Sequence, residues 1–211
     1  MKMPSEDKIK VILEQGVRAG LYEEVGMEKY RLTEKGKKYV ELFKAPAVEQ
    51  PCLKKGDKVK LYGHEWLVVW TDGATAKLWM TEPFAAHIFD ENRNDYEKSS
   101  IRKWLKKQEA NFGFGDGVLP NDKVYGDKLW LPSRKEVGDG GEWGLTDDDR
   151  KFSNLEFGYN SWLRSPSAVN TYAASYVYDD GTLHSNGSVN YAYVVRPAIM
   201  VDLEKFEDVR E

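Results

Sequence analysis

From Ser167 to Tyr193 the chain contains no Lys, Glu, Gln, Arg, Met or Trp, although 31% of the whole sequence is charged. Tyr, Ser, Asn, Asp, Gly, Ala and Thr dominate the window, with a few Val and Leu and one His. That is close to the composition of an antibody paratope, where Tyr supplies stiff contact area and Ser, Asn and Gly supply adaptable hydrogen bonds. Two motifs flank it, Trp162-Leu163-Arg164-Ser165-Pro166 before and Val195-Arg196-Pro197-Ala198 after. The pattern reads as a binding surface held by two anchors; a Gly/Ser/Asn-rich loop and hairpin region has the same composition. Every residue type in the window can also be written by a codon ending in a pyrimidine, whereas Lys, Glu, Gln, Met and Trp cannot. An asparagine codon randomised at its two adenines generates this alphabet.

At 211 residues and 24.2 kDa the chain has room for one domain of about 150 residues plus a small module. A net charge of -4 is too mild to predict nucleic-acid or membrane binding for the whole. Cys52 is the only cysteine. No intrachain disulfide, cysteine-ligated metal or two-cysteine redox chemistry follows from one thiol. Met1 to Lys10 has no apolar core and no later run is long enough to span a bilayer. The expectation is cytoplasmic synthesis, with a virion-associated location left open.

Along the chain, Ser5 is placed to cap an amphipathic helix carrying Ile9, Ile12, Leu13 and Val17, which stops at Gly20. Leu21 to Val25 and Lys29 to Leu32 read as a short hairpin around Gly26, and Thr33 starts a second helix with Tyr39, Val40 and Phe43. Pro46 and Pro51 mark a linker. Beyond it, Lys58 to Val69 and Thr75 to Thr81 predict strands joined at Thr71-Asp72-Gly73-Ala74. Ser99 to Lys107 predicts a helix with Ile101, Trp104 and Leu105 on one face, and Lys128 to Leu131 a short strand. Ser133 opens a turn or helix, and Thr146 can cap a helix through Asp147, Asp148 and Asp149.

Two resemblances follow from these residues. Ala19-Gly20-Leu21 with Tyr30-Arg31-Leu32-Thr33-Glu34-Lys35-Gly36 resembles the back half of a winged-helix domain. Gly56-Asp57, Trp66, Ser100 to Leu105, Leu131-Pro132-Ser133 with Glu136-Val137, Gly181 and the two anchors occur in the order of a bacterial and phage family. Residues 53 to 205 thereby resemble the C-type-lectin-like fold shared by formylglycine-generating enzymes and the variable proteins of diversity-generating retroelements. The resemblance implies an α+β fold: a partial winged-helix-like module over 1–45, a linker over 46–55 and a C-type-lectin-like ligand-binding domain over 56–206. In variable proteins, error-prone copying at adenines rewrites exposed residues over a rigid scaffold. Carried over by position, the ligand-binding residues are Ser167, Asn170, Tyr172, Ser175, Tyr178, Asp179, His184, Ser185, Asn186, Asn190, Tyr191 and Tyr193, with Val177, Leu183 and Val189 facing inward. Trp162, Arg164, Pro166, Arg196 and Pro197 are structural anchors: the arginines can bond several carbonyls or carboxylates, and the prolines fix the chain's path.

The residues speak against an enzyme. The formylglycine-generating branch needs reactive cysteines, and Cys52 sits in the linker. His64, His87 and His184 are not at metal-ligand spacing and read as surface histidines. No strained elbow supports a nucleophile built from Ser165 or Ser185 with His184. Asp147 to Asp149 suit a helix cap better than a calcium loop, and Gly113 to Gly117 lacks the ending of a phosphate loop. The reading is therefore a non-enzymatic receptor-binding or display protein without cofactor, its partner a protein ligand or cell-surface receptor ahead of a carbohydrate, with no membrane insertion. Nucleic acid is disfavoured; calcium dependence and oligomeric state stay open. The alternative is a DNA-associated regulator with a lectin-like sensing domain.

Overall fold

The computed structural model describes residues 22–24, 30–32, 53–152 and 160–209. The chain divides into two compact units, Met1–Gln50 and Pro51–Glu211. In the first, β1 (Tyr22–Glu24) pairs antiparallel with β2 (Tyr30–Leu32), which is the predicted hairpin. The two helices expected around it, and residues 46–52 of the expected linker, lie outside the described residues.

The second unit corrects the α+β expectation. Its described residues form two five-stranded sheets. One helix, α1 (Ser100–Phe112), runs for 13 residues, while α2 (Arg134–Val137) and α3 (Asp147–Arg150) are single turns of 4. Only α1 carries apolar residues at helical spacing over several turns. The other helix starts have good caps but nothing apolar to extend along, so the domain is strand-dominated. No winged-helix module is present among the described residues.

The first sheet has the order β3 (Lys58–Leu61), β4 (His64–Thr71), β5 (Thr75–Met80), β12 (Ala198–Asp202), β7 (Val118–Leu119). The single strand expected over Lys58 to Val69 is broken by Tyr62 and Gly63, both at positive φ (53° and 73°). Two such residues make the tight loop that suits the right-handed twist of a hairpin. The second sheet has the order β10 (Leu183–Ser188), β9 (Ala173–Tyr178), β8 (Asn160–Pro166), β11 (Ala192–Val195), β6 (Ala85–Ile88). Its one parallel contact is β11 with β8.

The sheets are joined where two paired strands cross together from one to the other. Strands β6 and β11 pair in the second sheet and β5 and β12 in the first, and Pro197, which has no N–H, sits between β11 and β12. The crossing is held by Met80 N to Pro197 O at 3.0 Å and Phe84 N to Val195 O at 2.9 Å. Trp66, Val68, Leu78 and Ile199 of the first sheet share a single buried core with Leu163, Val177 and Val195 of the second.

Candidate functional site

Each anchor reaches a different part of the scaffold. In the opening anchor, Trp162 is fully buried and its indole N–H donates to His87 O at 2.9 Å. Arg164 donates to Leu131 O at 2.8 Å and to the Glu136 carboxylate. Glu136 also accepts from Ser133 N (2.7 Å) and Ser133 Oγ (3.0 Å), closing a capping box at α2. Pro166 is exposed at the end of β8.

In the closing anchor, Arg196 is buried with its guanidinium 4.1 Å above the Trp79 ring. It donates to Met80 O at 3.0 Å and Arg150 O at 2.8 Å. Burial pushes this guanidinium down from its usual value, to about 9. Arg150, also buried, donates to Gly181 O (2.8 Å), Val137 O (2.8 Å), Leu145 O (2.9 Å) and Asp139 (2.9 Å), and pairs with Asp147. A fully buried cation is tolerated only when such partners replace its water. At Gly181 φ is +92°, and a Cβ would lie 2.0 Å from Asp147 O, so only glycine fits this turn between β9 and β10. The predicted Thr146 cap is present, with Asp149 completing its box.

On one face of the second sheet a cluster of aromatic rings runs from the buried Trp162 through the half-buried Tyr176 and Tyr193 to the exposed His184. Register places Trp162 opposite Tyr176 across β8 and β9, and Tyr176 opposite His184 across β9 and β10. Tyr193 stacks on Trp162 at 4.2 Å and meets Tyr176 edge-on at 5.4 Å, while His184 stacks on Tyr176 at 5.1 Å. Gly187 lies beneath them: a Cβ there would stand 2.8 Å from Trp162 and Tyr176 and 2.9 Å from Tyr193. The Tyr176 hydroxyl donates to Asn186 Oδ1 at 3.3 Å. Burial raises the phenol pKa values of Tyr176 and Tyr193, each with a smaller push from neighbouring phenols.

The carried-over residues separate into three groups. Asn170, Tyr172, Tyr178, His184, Ser185, Asn186, Asn190 and Tyr191 are exposed, Tyr172 and Tyr191 at 61% each. A register shift between His184 and Gly187 marks a bulge, which lets Ser185 and Asn186 both face water. Asp179 and Tyr193 are half-buried. Ser167 and Ser175 are buried, at 7% and 1%, and do not reach the outer surface. Of the expected inward residues, Val177 and Val189 are buried and Leu183 is half-buried.

Sequence reasoning passed over Tyr176, the centre of the ring cluster. Its signal was available: in a strand whose Val177 faces inward, Tyr176 and Tyr178 must share the outward face. Of the three histidines read as surface residues, His184 is exposed and His64 and His87 are half-buried, and each has a ring neighbour. His184 packs on Tyr176, His87 on Trp104 at 5.0 Å, and His64 edge-on to Phe84 at 5.5 Å. Among the described residues no three His, Cys, Asp or Glu side chains gather as a metal site, and no helix is long and apolar enough to cross a membrane.

The fold and this face define a two-sheet β domain with an exposed aromatic and amide surface held by buried arginines. The chain belongs to the DUF6273 family, a domain of unknown function, which matches residues 68–203. No curated protein and no solved structure matches it.

Proposed function

We propose that the chain is a non-enzymatic recognition protein whose face between the anchors binds a protein ligand, and that this face is diversified by a retroelement. The observation that carries the proposal is the separation of roles within one window. Tyr172, Tyr178, His184, Ser185, Asn186, Asn190 and Tyr191 are exposed, whereas the neighbouring Ala173, Ala174, Val177 and Val189 are buried. Exposed side chains that lie outside the buried core can change at little cost to it. Tyrosines at the centre of such a surface, next to short polar side chains, are the residue types that dominate binding energy at protein interfaces. The restricted codon alphabet supports the diversification.

The test is to sequence this gene from many independent isolates. Substitutions are expected to cluster at adenine-derived codon positions between Pro166 and Val195, with Trp162, Arg164, Arg196 and Pro197 constant. An even spread of substitutions along the gene contradicts retroelement diversification.

A further inference from the structure

We propose a second, separate binding site, for a neutral saccharide, in a cavity between the β3–β4 hairpin and α1. The cavity holds about 360 Å³ and is lined by Tyr62, His64, Phe84, Gln108, Asn111 and Phe112. It lies beyond the ring cluster of the recognition face: Tyr193 stands opposite His87 across β11 and β6, His87 packs on Trp104, and Trp104 on Phe84 at 5.6 Å. None of its lining residues falls between the two anchors, so the proposal does not depend on the reading of that window.

The lining chemistry selects the ligand. Four of the six lining side chains are rings, all half-buried, so each keeps part of its surface open to solvent. Tyr62 stands at 87° to Phe112 and His64 at 86° to Phe84, giving walls in two orientations. An aromatic face attracts the C–H face of a pyranose, whose axial hydrogens carry slight positive charge against the ring's negative face. The other two residues are amides one helical turn apart on α1. Asn111 Nδ2 donates to Gln108 Oε1 at 2.8 Å. That bond fixes both side chains and leaves Gln108 Nε2 as donor and Asn111 Oδ1 as acceptor, the pair that vicinal hydroxyls require. No Lys, Arg, Asp or Glu is among the described lining residues, so an ionic ligand would lose its hydration without a counter-charge. Tyr62 is held in the left-handed region (φ 53°), which a bulky residue rarely adopts. An Asn or Gly would form that turn more easily, and the ring it carries is what the cavity uses.

The experiment titrates the full chain with three neutral trisaccharides (maltotriose, cellotriose and chitotriose), and with a proline-rich decapeptide, choline and sialyllactose as comparators. Binding is read by ligand-observed NMR and by Trp fluorescence. At least one neutral trisaccharide is expected to bind at millimolar concentration or below, ahead of all comparators. Replacing both amides, Gln108→Leu with Asn111→Leu, should weaken it roughly tenfold, the worth of two neutral hydrogen bonds, while leaving the melting midpoint unchanged. Phe112→Ala should abolish it, and Tyr191→Ala on the other face should not alter it. The proposal is overturned if no trisaccharide binds, if a comparator binds better, or if the folded double amide variant keeps full affinity.

Discussion

Individual residues divide into those the fold cannot change and those it ignores. Gly187 belongs to the first kind although nothing around it is charged or catalytic. Its missing side chain lets three rings close over the β10 backbone. Gly187→Ala should therefore cost about 1–3 kcal/mol in denaturant unfolding, the usual range for forcing an extra methyl into a packed site. The altered contact of Tyr193 with Trp162 should also change the Trp fluorescence of the still-folded protein. Glycine at this position was legible only as one more small residue in a Gly- and Ser-rich window. Its role depends on rings from three other strands, which composition does not reveal.

At the scale of elements, what the sequence disclosed was local and what it concealed was long-range. Ser133 with Glu136 and Thr146 with Asp149 each carry a helix start within four residues, so both caps could be read directly. The β1–β2 hairpin and the β4–β5 turn were readable for the same reason. The Tyr62-Gly63 turn was missed because the apolar residues on its two sides, Val59 and Leu61 before it and Trp66 to Val69 after it, read as one continuous strand. The helix content was overestimated because a good cap predicts where a helix begins, not how far packing lets it run. Arg150 escaped notice behind three aspartates, since its carbonyl partners at Val137, Leu145 and Gly181 come from the end of α2, the loop before α3 and the β9–β10 turn. It ties α3 to the β9–β10 turn and, through its own carbonyl, to Arg196. Arg150→Lys cannot reproduce that fork of donors. The expected loss is about 3 kcal/mol, because carbonyls and a charge stay buried without partners; an equilibrium unfolding curve measures it.

At the scale of the whole domain, two sheets share one core, and the face proposed for recognition is a surface feature of only one of them. Core titration should follow from this. Burial raises the Tyr96 phenol far above its ordinary value of 10.0, and its oxygen accepts from Leu131 N. As pH rises above 10 the unfolded chain loses that proton while the folded chain keeps it, so Tyr96's contribution is full below 10 and lost at higher pH. Melting midpoints above pH 10 should thus fall less steeply in Tyr96→Phe than in the natural sequence. The central claim is that the exposed residues between the anchors are interchangeable on a fixed scaffold. The most direct measurement is the thermal stability of a library randomised together at Tyr172, Tyr178, His184, Ser185, Asn186, Asn190 and Tyr191. The account predicts that most members fold cooperatively, with each exposed change costing no more than about 0.5 kcal/mol. If most members fail to fold, those side chains are part of the scaffold and the face is not a variable one.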